Sequence, residues 1–268
     1  MSNVLYADLG RVPATYDFIS FLCGYARDYD EPTDLVLVEG EADGFRPDDL
    51  WPRGREARKA MLDRVVIPMA WMLPQVCSVT ISPPRSAPRP RWGAAVLISA
   101  FKRGARPLRS RLPVEARKPY VTITLREAEH WPGRNSNLPE WLRAADEIEA
   151  LGFEPIFIRD TCRADEPLER SDRLAALSLE RRAQLYAGAA LNLGVNNGPI
   201  WLACAMDTPV IVVKPTADAP KSATAAFLAR SGMTPGQPHP WGAEHQTVIW
   251  AEDRAEIITA AVRRHLQR

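Results

Sequence analysis

The sequence predicts an α/β protein made of two successive parallel-sheet units. Three observations support that class. Short apolar runs, too brief for helices, alternate with segments whose apolar residues recur at helical spacing, the order produced by parallel strands joined through helices. The chain has 268 residues, enough for two small domains that each bury a core. Between the halves lies a proline-rich stretch in which residues 82–118 carry 10 Lys/Arg against one carboxylate, Glu115. We expect an N-terminal unit over 1–82, a basic Pro/Arg-rich linker with one extra element over 83–118, and a C-terminal unit over 119–268.

Val4-Leu5-Tyr6-Ala7 opens the first unit as a strand, and Asp8-Leu9-Gly10 turns the chain. Phe18, Phe21, Leu22 and Tyr25 then mark one face of a helix over residues 16–29. Leu35-Val36-Leu37-Val38 is an apolar run closed by Glu39-Gly40, as a buried parallel strand is, and completes a βαβ unit. A long helix is expected from Arg55 towards Leu73, broken or kinked at Pro68, and a third strand over residues 76–81.

The second unit is more sharply punctuated. Residues 120–125 read as a β-branched strand, and Asn137 with Glu140 has the spacing of a capping box. Trp141, Leu142, Ala145, Ile148 and Leu151 form the core face of the next helix, which ends at Gly152 in the C′ position. Residues 155–158 make a strand. Ser178 begins a helix with Leu179, Ala183, Tyr186, Ala187 and Ala190 on one face, and residues 191–195 make another strand. Asn196-Asn197-Gly198 turns the chain, Pro199 suits the first position of a helix to about Met206, and residues 209–213 return as a strand. Both halves are therefore Rossmann-like, although neither opening strand is followed by the GxGxxG of a dinucleotide site.

Composition bounds the function. At 46% apolar and 25% charged residues the chain is globular, and a net charge of +1 lacks the footprint of a nucleic-acid binder, so no nucleic-acid partner is expected. Charge is unevenly spread, since residues 1–63 carry 13 Asp/Glu against 7 Lys/Arg. Cys23, Cys77, Cys162 and Cys204 are scattered, as thiols in a reducing compartment are, and the four histidines lack zinc-site spacing. No metal requirement and no cofactor are expected. The N-terminus has no signal-like apolar core and no run approaches 18 apolar residues, so we expect a cytoplasmic protein. The basic stretch 85–118, with Trp92 and Phe101 as amphipathic anchors, either touches the inner membrane peripherally or is a solvated linker face.

In open parallel sheets ligands bind beyond the carboxyl ends of the strands, where helix N-termini offer N–H groups to anions. The turn Asn196-Asn197-Gly198-Pro199 is such a place: glycine admits a ligand to the backbone and the amides can bond a ribose or phosphate. The same pattern also serves as a plain turn. Arg126 and Arg134, after the 120–125 strand, can hold a diphosphate, or pair with Glu127 and Glu129. Lys214 can face phosphates or solvent, and Asp160, after Arg159, can contact a base or ribose or merely begin a loop.

The run LNLGVNNGPIWLACAMDTPVIVVKPT, following the helix that begins at Ser178-Leu179-Glu180, resembles the donor-site segment of the ADP-heptose:lipopolysaccharide heptosyltransferases, glycosyltransferase family 9-like enzymes of the GT-B kind. Asn197, Gly198, Pro199, Leu202, Ala203, Ala205 and Pro209 fit that segment, while Asn196 stands at the family's Asp and Trp201 at its His. The resemblance covers residues 120–216. It implies two Rossmann-like domains facing a cleft and a metal-independent glycosyltransferase. The enzyme would move a sugar from a nucleotide-diphosphate donor to a hydroxyl acceptor such as a glycan, lipopolysaccharide or protein. Arg126, Arg134, Asn196, Asn197, Gly198, Pro199 and Lys214 would then form the donor site.

Transfer to a hydroxyl needs a general base, which GT-B enzymes commonly supply from the N-terminal domain. Asp8, directly after the first strand, and Asp17, beside the first helix, are the candidates; Asp17 is preferred, although an acid there also complements the helix dipole. The family's acid follows a glycine in the first loop, whereas Gly10 is followed by Arg11. The alternative reading is a non-catalytic nucleotide-sugar or glycan-binding module of the same fold.

Overall fold

The computed structural model describes residues 3–28, 30–41, 43–46, 54–218 and 220–267. It divides into two compact units, residues 1–111 and 112–268. In the first, strands β1 (Asn3–Asp8), β2 (Thr33–Val38) and β3 (Val76–Ser82) form a parallel sheet in that order. Helix α1 (Phe18–Asp28) joins β1 to β2; Tyr29, at the end of the expected helix, lies outside the described residues. Phe18, Leu22, Leu35, Leu37, Met69 and Leu73 are buried in this unit.

The helix expected across Pro68 forms as three consecutive pieces. Helix α2 (Arg55–Met61) passes through a π-helical turn, Leu62–Val66, into α3 (Ile67–Trp71). Proline has no N–H to return to the preceding turn, and one widened turn absorbs that loss without ending the helix.

The stretch expected as a linker divides instead between the units. Its apolar part forms α4 (Ala94–Lys102), which packs on α1, and Gly93 N donates to Ser20 Oγ at 2.7 Å. The buried residues Leu97, Ile98 and Ala100 explain why it belongs to the first core and does not hang free.

The second unit is a five-stranded parallel sheet in the order β5-β4-β6-β7-β8. Its strands are β4 (Tyr120–Thr124), β5 (Glu154–Ile158), β6 (Leu191–Val195), β7 (Val210–Val213) and β8 (Gln246–Ile249). Helices α5 (Leu138–Ala150), α6 (Arg173–Leu177), α7 (Leu179–Gly188), α8 (Gly198–Ala205), α9 (Ala225–Arg230) and α10 (Ala255–Leu266) follow in turn. Strands β4, β6 and β7 are buried along their whole length, and Trp141, Ile148, Phe157, Ile258 and Val262 close the core. Within it Asn192 is fully engaged, accepting from Thr122 Oγ1 and donating to Tyr186 O, Thr208 Oγ1 and Pro209 O.

Two caps can be compared with the sequence pattern. Ser178 caps α7 by accepting from Arg181 N, as its position predicts. The Asn137–Glu140 box does not form: Glu140 Oε2 instead accepts from Ala255 N at 2.7 Å, and Asn137 N donates to Asp253 Oδ2 at 2.7 Å. Buried Asp253 also accepts from Trp141 Nε1 at 2.9 Å, so the long-range partners of α10 and its preceding loop override the local motif. Among the described residues no helix is long and apolar enough to cross a membrane.

Candidate functional site

The order of the second sheet fixes where a ligand belongs. From β4 the chain first moves outward to β5, then returns to the other side of β4 for β6, β7 and β8. The reversal lies at the carboxyl ends of β4 and β6, the switch-point position at which parallel sheets bind ligands. Arg126 follows β4, the turn 196–199 follows β6, and Lys214 follows β7, so the expected donor residues all emerge on one edge.

Arg126 is 5% exposed and its guanidinium is hydrogen-bonded to neutral groups. Its guanidinium donates to His130 O at 2.8 Å, Trp131 O at 3.1 Å and Asn135 Oδ1. Its backbone is tied to Ser136 in both directions, so this one residue shapes the 128–136 loop. Burial, and then the neighbouring charge of Arg134, lower its pKa from the ordinary arginine value to about 10, with Asp160 partly opposing them. Arg134 reaches across to Asn196 O at 2.9 Å, which links the β4 loop to the β6 turn.

The turn is built by its own amides. Asn197 Oδ1 caps α8 by accepting from Ile200 N at 3.0 Å. Asn196 donates to Pro215 O and accepts from Trp201 Nε1 at 2.9 Å. Ile200 N is thus occupied and Pro199 has no N–H, which leaves Gly198 N as the donor of the first turn of α8 available to an anion. Gly198 and Pro199 are both half-buried at this edge.

Other expected residues are committed to the protein. Lys214 Nζ pairs with Glu252 at 3.2 Å and with buried Asp253 at 3.5 Å, so its charge is held by carboxylates and does not face open solvent. Neither Glu127 nor Glu129 holds Arg126: Glu127 accepts from Arg159 through both oxygens, and its N–H donates to Asp160 Oδ2 at 2.6 Å. Asp160 is therefore a turn residue as well as a crevice residue.

In the first unit Asp8 Oδ1 accepts from Gly10 N at 2.9 Å, and Oδ2 pairs with Arg11 at 3.0 Å. Asp17 is exposed immediately before α1, and its carbonyl accepts from Ser20 N and Oγ. Beyond the carboxyl ends of this sheet lies a cavity of about 770 Å³ lined by Gly10, Arg11, Arg46, Arg89, Trp92 and their neighbours Arg91 and Val96. Arg46 lies over the Trp92 ring at 5.0 Å. Gly40 packs so closely on Gly10 that a Cβ there would meet Gly10 Cα at 2.7 Å, which keeps these loops tight against the sheet edge.

Three features escaped the sequence pattern: the cavity, the bidentate Arg159–Glu127 pair, and a cluster of Trp201, His239 and Trp241. Arginine spacing alone signalled the first, and Trp201 in the place of the family's His signalled the last. Among the described residues no three His, Cys, Asp or Glu side chains gather as a metal-binding set.

No protein-family model matches the chain, and no curated protein matches it. Among solved structures it is similar to E. coli heptosyltransferase WaaC with ADP-2-deoxy-2-fluoro heptose, at 13% identity and a TM-score of 0.49, over 100% of this chain and 99% of that one. It is also similar to the iron-containing dodecameric glycosyltransferase TibC from enterotoxigenic E. coli H10407, at 16% identity and a TM-score of 0.41. That match covers 79% of this chain, which spans 56% of the TibC length.

Proposed function

We propose that this chain is a glycosyltransferase that moves a sugar from a nucleotide-diphosphate donor to a hydroxyl acceptor. The observation that carries the reading is Arg126, a buried guanidinium held by neutral acceptors beside Arg134, at a switch-point crevice and near the N-terminus of α8. A diphosphate between the two guanidinium groups offsets both the burial and the mutual repulsion that lower the Arg126 pKa. Gly198 N adds a backbone donor, and Asn197 fixes the turn that presents it. The matching donor-segment residues Asn197, Gly198 and Pro199 support the same seat. Lys214 takes part by orienting the 214–216 loop, its charge being already paired.

The first unit supplies the acceptor side in this reading. Arg11, Arg46, Arg89 and Arg91 around Trp92 suit an acceptor that carries phosphate or carboxylate, whether a glycan or an anionic surface lipid. Arg11 pairs with Asp8, and Arg46 lies over the Trp92 ring. Asp17, exposed just before α1, is the general base, and Asp8 holds the loop through Gly10 and Arg11. The arginines neutralise the departing nucleotide, so the reaction proceeds without a metal.

Incubation with a panel of nucleotide sugars in the presence of EDTA, following nucleotide diphosphate release, tests this function. Release from one nucleotide family, lost on Asp17→Asn while donor binding persists, is the expected result. Binding without turnover under every acceptor condition favours the non-catalytic module instead.

A further inference from the structure

Beside the 196–199 turn lies an aromatic cluster that a diphosphate seat does not use. Trp201 stands in the first turns of α8 and is fixed by its bond to Asn196. Trp241 donates to Gln246 Oε1 at 2.9 Å, and Gln246 Nε2 is itself anchored on Cys204 O and Thr208 O at 3.1 and 3.0 Å. The three ring centroids form a triangle, with His239 4.2 Å from Trp241 and 6.0 Å from Trp201 and the two indoles 6.1 Å apart.

His239 is 4% exposed, and neither ring nitrogen has a hydrogen-bond partner among the described residues. Leaving such a group unsatisfied is destabilising, and a phenylalanine against these two indoles would avoid that cost. The residue is therefore poorly explained by stability alone. Burial, with His245 adding to it, pushes its pKa down to about 3, so the ring is neutral at neutral pH and has no charge to offer a phosphate or carboxylate.

The ring angles narrow the choice further. His239 and Trp241 are at 77°, Trp201 and Trp241 at 61°, and Trp201 and His239 at 46°. No two faces are parallel, so there is no slot for a flat base. A saturated sugar ring can instead lay one C–H face on an indole and turn a hydroxyl to the imidazole. Trp201 and Trp241 are only half-buried, and Gly236 and Gly242, at φ of +77° and +75°, bracket the segment that carries His239. Access requires one indole to turn aside.

We propose that Trp201, His239 and Trp241 form the subsite for the neutral sugar ring of the donor, with one ring hydroxyl exchanging a hydrogen bond with His239. The proposal rests on the donor reading of the neighbouring turn, and it names the part of the donor that this cluster recognises.

Two measurements separate failure of the subsite from failure of the donor reading. Calorimetry compares UDP with UDP-glucose, GDP with GDP-mannose and ADP with ADP-glucose on the wild type and His239→Phe. We expect His239→Phe to lose about tenfold in affinity for the matched conjugate, and to bind the parent diphosphate unchanged. Equal losses for both ligands, or no loss for either, overturn the subsite; no binding of any diphosphate overturns the donor seat. The second measurement needs no nucleotide. The imidazole signals of His239 and the indole N–H signals of Trp201 and Trp241 are followed by NMR on titration with methyl α-mannopyranoside and methyl β-glucopyranoside. Shifts in His239, Trp201 and Trp241 of the wild type, with the Trp201 and Trp241 shifts lost in His239→Asn, support the subsite, and unmoved signals with both glycosides overturn it.

Discussion

Arg126 and Arg159 emerge from neighbouring parallel strands and are nearly equally buried, at 5% and 6% exposure, yet their surroundings are opposite. Arg159 is gripped by Glu127, with Nε to Oε2 at 2.9 Å and Nη2 to Oε1 at 2.5 Å, and that bonding raises its pKa. Arg126 has carbonyls and an amide for hydrogen-bond partners, and burial, then the second arginine nearby, lower its pKa. The first charge is neutralised within the fold. The second has neutral hydrogen-bond partners and feels a carboxylate, Asp160, only through space; on the donor reading proposed above, that difference marks it as a binding arginine.

The largest effect should come from breaking the satisfied pair. Glu127→Ala leaves a buried guanidinium without its main partner and should cost about 3–5 kcal/mol, read as a lowered urea midpoint. Arg126→Gln should behave differently. It should keep most of the stability, since its partners are neutral, and weaken nucleotide diphosphate binding by roughly 10- to 100-fold, read by calorimetry. If Arg126→Gln instead unfolds the protein as readily as Glu127→Ala, the contrast between the two arginines is broken.

His239 extends the comparison to a neutral group. Its pKa lies below the ordinary value of 6.5 in the folded state, so the unfolded chain takes up the proton first as the pH falls. Its contribution is fully present above pH 6.5 and is lost as the pH drops towards 3, with a slope of at most about 1.4 kcal/mol per pH unit. Thermal melts across this window should flatten in His239→Phe. The smallest expected effect is that of Asn197→Ala, which removes the α8 cap at a cost of about 1 kcal/mol and, by loosening the turn, weakens nucleotide binding as well. Weakened stability with unaltered nucleotide affinity would reduce Asn197 to a cap.

Much of this was legible in the residues because the second sheet is buried on both faces. Apolar runs such as 191–195 and 210–213 admit no other reading when glycine, asparagine and proline bound them. The Asn197 cap and the C′ role of Gly152, at φ of +89°, are likewise local and visible. What stayed hidden depends on distant partners. Glu140 has the spacing of a capping box, but its partner is Ala255, and Lys214 looks like a phosphate ligand until Glu252 and Asp253 arrive beside it. The apolar segment 94–101 is visible in the sequence, but its allegiance to α1 is not, since that depends on Ser20 meeting Gly93. His239 stands out only through packing: against Trp241, two residues on, and against Trp201, which α8 brings in from a distant part of the chain.

The central claim is that the crevice between β4 and β6 seats a nucleotide diphosphate on Arg126, Arg134 and the N-terminus of α8. It is tested most directly by calorimetric titration of the full chain with ADP, UDP and GDP, alongside Arg126→Gln and Arg134→Gln variants shown to be folded by circular dichroism. The account predicts that the wild type binds at least one diphosphate and that each variant weakens it. Wild-type affinity retained in both variants, or no diphosphate bound by the wild type, would contradict it.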